Sequence, residues 1–155
     1  MDDKLIATAE TSIEASKEAV WKALTSPESI REYMFGANVK TDWKVGSPIT
    51  WSGEFKGKPY EDKGEILVFD PTHELSYSHF SPLSGNKDTP DNYHKVTITL
   101  SAGDHEETRV RLVQDNNESE ESRVESEKNW AAMLEGLKKH LENGAASSKA
   151  HGGGR

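Results

Sequence analysis

Six residues carry the side chains best suited to hold a small molecule: Trp51, Phe55, Tyr77, His79, Trp130 and Leu134. The rings and the leucine would form apolar walls. The Tyr77 hydroxyl and the His79 imidazole would supply the few directed hydrogen bonds that such a site needs. Trp51 and Phe55 belong to the stretch TDWKVGSPITWSGEFKGKPYEDKGEILVFDP, residues 41–71, which sets two tryptophans, two phenylalanines and a tyrosine into otherwise polar sequence. Plain core packing accounts for the same rings, each contributing about 2 kcal/mol by burial. Both readings stand at this point.

A second set could move protons. His79 and His94 flank the loop FSPLSGNKDTPDNY and fall at the ends of successive strands, so they could become cross-strand neighbours. With Glu54 they would suit the acid/base work of a cyclase or hydrolase. Two strand-end histidines bonded to backbone or water is the plainer alternative. The chain has no cysteine, no H-x-H and no H-E-x-x-H spacing, so no metal is expected. No nucleophile elbow, phosphate loop or dinucleotide fingerprint is present either, and neither a cofactor nor a catalytic residue is assigned.

The elements that must position these residues follow from periodicity. Leu5 to Ile13 reads as a strand with Leu5, Ala7, Ala9 and Thr11 on one face. Ser16 caps a short helix carrying Ala19, Val20, Ala23 and Leu24, and Ser26-Pro27-Glu28 starts another that ends near Tyr33. From there to about residue 115 the period is two. Ile49, Trp51, Gly53 and Phe55 share a face, FKGKPY turns, and Gly64 to Phe69 returns. Further strands carry Leu75, Tyr77 and His79, then His94, Val96, Ile98 and Leu100, then Val110, Leu112 and Gln114. The connection from Ser81 to Asn92 is long enough to act as a lid or to be an unstructured hairpin loop.

The last element is an amphipathic helix. Asn117 and Glu120 suggest a capping box, and Val124, Trp130, Met133, Leu134, Leu137 and Leu141 make one stripe up to an Asn143-Gly144 stop. The domain is expected to occupy residues 1–142, with 143–155 a disordered tail. The acidic run ESEESRVESE, residues 118–127, fits a solvated first turn at the positive end of that helix.

The order of elements is α+β: a curved antiparallel sheet wrapped around one long C-terminal helix, a helix-grip fold, with two short helices after the first strand. A gap forms wherever helix and sheet diverge, and the aromatic set faces that gap. The chain has 155 residues, enough for one core. Its 19 basic and 27 acidic residues give a net charge of −8, which argues against nucleic acid and anionic membrane as partners. No window reaches the roughly 18 to 20 apolar residues of a membrane span. The acidic start MDDKLIATAE lacks the pattern of a signal peptide, so a cytoplasmic location is expected.

Four segments together resemble a known superfamily: VWKALTSPE at 20–28, DWKVGSPITW at 42–51, GEILVFDP at 64–71 and NWAAMLEGLK at 129–138. In order and spacing they are similar to the START-like (SRPBCC, birch-pollen-allergen fold) superfamily, in the branch of activator of heat-shock protein 90 ATPase homologues. That resemblance implies a hydrophobic pocket between sheet and long helix. It also implies a choice of partners: a small hydrophobic or aromatic molecule in a ligand-binding, stress-related protein, or a chaperone whose ATPase the domain modulates. The same fold serves polyketide cyclases, which keeps the enzyme alternative open.

Overall fold

The computed structural model describes residues 5–34, 36–55, 57–81, 87–103 and 107–153; the side chains of Phe55, Pro90 and residues 143–153 lie outside the described set. Seven strands form one antiparallel sheet in the order β1-β7-β6-β5-β4-β3-β2. They are β1 (Ala7–Ile13), β2 (Asn38–Thr41), β3 (Pro48–Phe55), β4 (Lys58–Asp70), β5 (Glu74–His79), β6 (His94–Ala102) and β7 (Thr108–Gln114). The helices α1 (Lys17–Leu24) and α2 (Pro27–Tyr33) separate β1 from β2, and α3 (Glu120–Gly153) ends the chain. This is the helix-grip arrangement read from the sequence.

The short helices start as their sequences dictate. The Ser16 hydroxyl accepts from the Ala19 N–H at 3.1 Å, and Ser26 accepts from Ser29 with Pro27 in the first turn. α1 buries Trp21 as well as Val20, Ala23 and Leu24, and the Trp21 ring meets Phe69 edge-on at 5.3 Å.

The β3–β4 hairpin is tighter than the FKGKPY turn predicts. Phe55 is paired with Lys58, leaving a two-residue connection whose Gly57 has φ 81°. Such connections require positive φ, which glycine adopts freely. Pro59, Tyr60 and Asp62 therefore lie within β4 rather than before it, and Trp51 is the direct partner of Asp62. Farther along, the β4–β5 ladder is broken. Lys63 bridges Phe80 and Ile66 pairs with Tyr77, and the register then shifts before Val68 pairs with Ser76.

Two expectations for α3 are corrected. Its cap is Ser119, whose hydroxyl accepts from the Ser122 N–H at 3.1 Å; Asn117 instead donates to the Leu5 carbonyl at 2.8 Å and ties the helix start to the first strand. Asn117 is buried, so its amide serves three-dimensional contacts that a local motif cannot foresee. Val124 is 38% exposed and off the apolar stripe. Six residues before Trp130, it lies about 120° around the helix, whereas Arg123, Ser126 and Glu127 fall on the inner side. Met133, Leu134 and Leu137 are buried as the pattern requires. The backbone helix continues to Gly153 past Asn143-Gly144. A glycine inside a helix costs only about 1 kcal/mol, and the following AASSKA is compatible with propagation.

Side chains of α3 also bond the outer backbone of β1. The Thr8 N–H donates to Glu127 at 3.1 Å, the Glu14 N–H donates to Glu142 at 2.9 Å, and Lys138 donates to the Ser12 carbonyl at 2.7 Å. Beneath these bonds lies the core, in which Ile13, Ile66, Val96, Val110, Leu112 and Leu137 are fully buried.

Candidate functional site

The concave face of β3, β4 and β5 meets α2 and α3 around a cavity of about 300 Å³. Trp51, Tyr77, His79 and Trp130 line it, as the alternation in their strands and the stripe on α3 lead one to expect. Trp51 anchors the wall: its ring lies 5.0 Å from Tyr77 and 5.1 Å from His79, the latter edge-on. Met34, from the residue that ends α2, closes the apolar side.

Leu134 sits elsewhere. It is 1% exposed within the hydrophobic core and is not among the described residues lining the cavity. The Phe55 side chain lies outside the described residues, as do residues 82–86 of the loop expected to act as a lid. The described part of that loop is tied back to the sheet: Tyr93 donates to Asp88 at 2.6 Å, and Lys63 pairs with Asp88.

The structure brings His79 and His94 together as direct cross-strand partners, with ring centroids 6.3 Å apart. His94 Nδ1 is 3.0 Å from the Asp115 carbonyl, a backbone tie of the kind the plainer reading holds. His79 behaves differently. Its Nε2 is 2.9 Å from Asp62 Oδ2, whose second oxygen, Oδ1, is buried without a hydrogen-bond partner among the described residues. An unpaired buried acceptor costs about 1–3 kcal/mol, so its presence beside a cavity marks the site.

Asp62 and Tyr60 are among the lining residues that sequence reasoning missed, with Met34, Ala37 and Ser81. The signal was available in the alternation Tyr60, Asp62 along β4, once the hairpin is shortened to two residues. Glu54 also lines the cavity and is exposed, which places it at the rim.

The Tyr77 hydroxyl has no hydrogen bond among the described residues, and burial pushes its acidity far below that of an ordinary phenol. It can only donate or accept a hydrogen bond as a neutral group. The indole N–H of Trp130 donates to Gln114, fixing the ring between this cavity and a neighbouring one of about 550 Å³. Met34, His79 and Trp130 border both, and His94 and Gln114 line the second.

The arrangement combines flat apolar walls, one neutral hydroxyl, and an imidazole oriented by a carboxylate. It can hold a small body against the rings and exchange hydrogen bonds or a proton with it. Among the described residues, no three metal-ligating side chains gather as a cation site, and no helix is long and apolar enough to cross a membrane.

Comparison with known proteins places this architecture. ChR145 from Cytophaga hutchinsonii shares 57% identity, with 94% of this chain and 99% of that one covered and a TM-score of 0.81. Two others share the fold at low identity. MLL2253 from Mesorhizobium loti is 22% identical with a TM-score of 0.70, covering 89% of this chain and 97% of that one. The Aha1 dimer from Colwellia psychrerythraea is 20% identical with a TM-score of 0.69, covering 88% and 96%. No curated protein matches the chain. Residues 14–142, from the end of β1 to well along α3, match the family model described as Activator of Hsp90 ATPase homolog 1-like protein, and the chain belongs to that family.

Proposed function

We propose that the protein binds a small, largely apolar or aromatic molecule in the cavity between the sheet and α3, without requiring chemistry on it. The observation that carries this reading is the convergence of Trp51, Tyr77 and Trp130 around about 300 Å³ of space that also presents the His79–Asp62 pair. A filled core would bring rings into contact without leaving a buried carboxylate oxygen unpaired.

The test is an amide-shift titration of nitrogen-15-labelled protein against fatty acids, flavonoids and aromatic polyketide-like compounds. Saturable shifts at Trp51, Tyr77 and Trp130, weakened in Trp51→Ala and Tyr77→Phe, support the reading. Silence across the panel overturns it.

The family membership of residues 14–142 favours a second reading, an interaction domain that modulates a heat-shock protein 90 ATPase. It requires that the purified protein change that ATPase rate; an unchanged rate with no complex removes it.

A further inference from the structure

We propose that the ligand is a protonated amine on an aryl or apolar body, with its ammonium seated against Asp62 and its body against the aromatic walls. This rests on the reading of the cavity as a small-molecule site and narrows its chemistry from any apolar molecule to an organic cation.

Three observations converge. Among the described residues four aromatic side chains of the Trp and Tyr type line the cavity, Trp51, Tyr60, Tyr77 and Trp130, and a ring face attracts a cation placed over it. Apart from the His79 imidazole that Asp62 already holds, the charged groups among the described lining residues are the carboxylates of Glu54 and Asp62, with no lysine or arginine. An anionic ligand would thus be repelled by both carboxylates and gain no cationic partner from those side chains.

The third observation is the unpaired oxygen. His79 occupies Oδ2 of Asp62 and leaves Oδ1 buried with no donor. A carboxylate oxygen accepts and never donates, so only a ligand N–H or O–H satisfies it. The terminal torsion of an aspartate is broad and roughly two-fold, and the proposal requires a turn about it that brings this buried oxygen to the cavity. A charged N–H donor is preferred over a neutral O–H, because it adds the attraction of opposite charges to the hydrogen bond on the carboxylate. Burying an ammonium also requires a paired counter-charge, which Asp62 supplies inside the cavity.

The position of Glu54 adds a route. It is exposed at the rim, three residues after Trp51, so negative charge extends from solvent to the buried carboxylate. The net charge of −8 favours encounter with cations in general.

The experiment compares three probes of one shape, 2-phenylethylamine, 2-phenylethanol and phenylacetate, by calorimetry and amide-shift titration on the full chain. The amine is expected to bind about tenfold or more tightly than the alcohol, with phenylacetate weakest. Asp62→Asn is expected to remove the amine's advantage, so that amine and alcohol bind alike. Glu54→Gln, at an exposed position where folding is not at stake, weakens the amine alone by a smaller factor. Equal binding of amine and alcohol, or tighter binding of phenylacetate, overturns the proposal while leaving the cavity a small-molecule site. Absence of shifts with all three probes and with the wider panel overturns both.

Discussion

Nε2 of His79 lies 2.9 Å from Oδ2 of Asp62, and this bond joins β5 to β4 beside the break in their ladder. Beside it the backbones of Lys63 and Phe80 exchange two hydrogen bonds, at 3.0 and 2.8 Å, so the side-chain bond reinforces a backbone bridge. The other carboxylate oxygen of Asp62 is buried there with no donor among the described residues.

Asp62→Ala is therefore expected to have opposed effects. It loses the bond to His79, which contributes about 1 kcal/mol, and it removes an unpaired buried acceptor that costs a comparable amount. Urea denaturation should show a net change within about 1 kcal/mol, while ligand affinity falls and the imidazole signals of His79 shift. A stability loss above about 3 kcal/mol would make the pair structural instead.

Trp130 is only partly buried, since one side of its ring faces the cavities. Full burial would make Trp130→Ala cost about 3–5 kcal/mol; with the ring only partly buried, about 2 kcal/mol is expected, part of it from leaving Gln114 Oε1 without its donor. Trp130→Phe keeps the wall and loses only the indole bond. Equilibrium unfolding of both variants checks the order.

Gly64 admits no side chain. A β-carbon there would overlap the carbonyl oxygen of Ser78, which is backbone and cannot swing aside. Gly64→Ala is expected to cost more than about 3 kcal/mol or to abolish folding, because β4 and β5 must separate to fit it. A denaturation midpoint near that of the parent protein would contradict the close strand approach.

All four tyrosines are held above the ordinary phenol range. Burial is the main cause at Tyr33, Tyr60 and Tyr77; at Tyr93 the leading cause is its hydrogen bond to Asp88. An unfolded tyrosine releases its proton near about 10. The folded values lie higher, so the native state binds more protons above that pH and stability falls as pH rises through it. Their contribution is fully present below about 10. Phenolate absorbance should rise late and together with loss of near-ultraviolet circular dichroism. Early, reversible ionisation of all four in folded protein would refute this.

Much of the fold was legible because periodicity survives tertiary context where a face is buried. Ile49 and Trp51, Tyr77 and His79, and Met133, Leu134 and Leu137 all point inward as their spacing requires. Leu134 shows the limit of that logic: a stripe residue faces the interior, but periodicity does not say whether it meets cavity or core. Asp62 escaped notice because KGKP looked like an extended turn, and one tight hairpin residue, Gly57, moves the strand start to Lys58. Ser119 displaced Asn117 as the helix cap for a related reason. The choice was decided by the Leu5 carbonyl, 112 residues earlier in the chain.

The bonds from α3 to the outer backbone of β1 bear on how molecules of this protein meet one another. A terminal strand with free N–H and C=O groups is a template on which another chain can add. Glu127, Lys138 and Glu142 occupy such groups at Thr8, Ser12 and Glu14, so the helix that closes the cavity also seals that side of the sheet against strand addition. The opposite margin is β2, four residues long with the exposed Lys40, a length and charge that discourage a second copy from docking there. Protection from aggregation and the roof of the cavity are thus supplied by one helix, and a change that lifts α3 gives up both together.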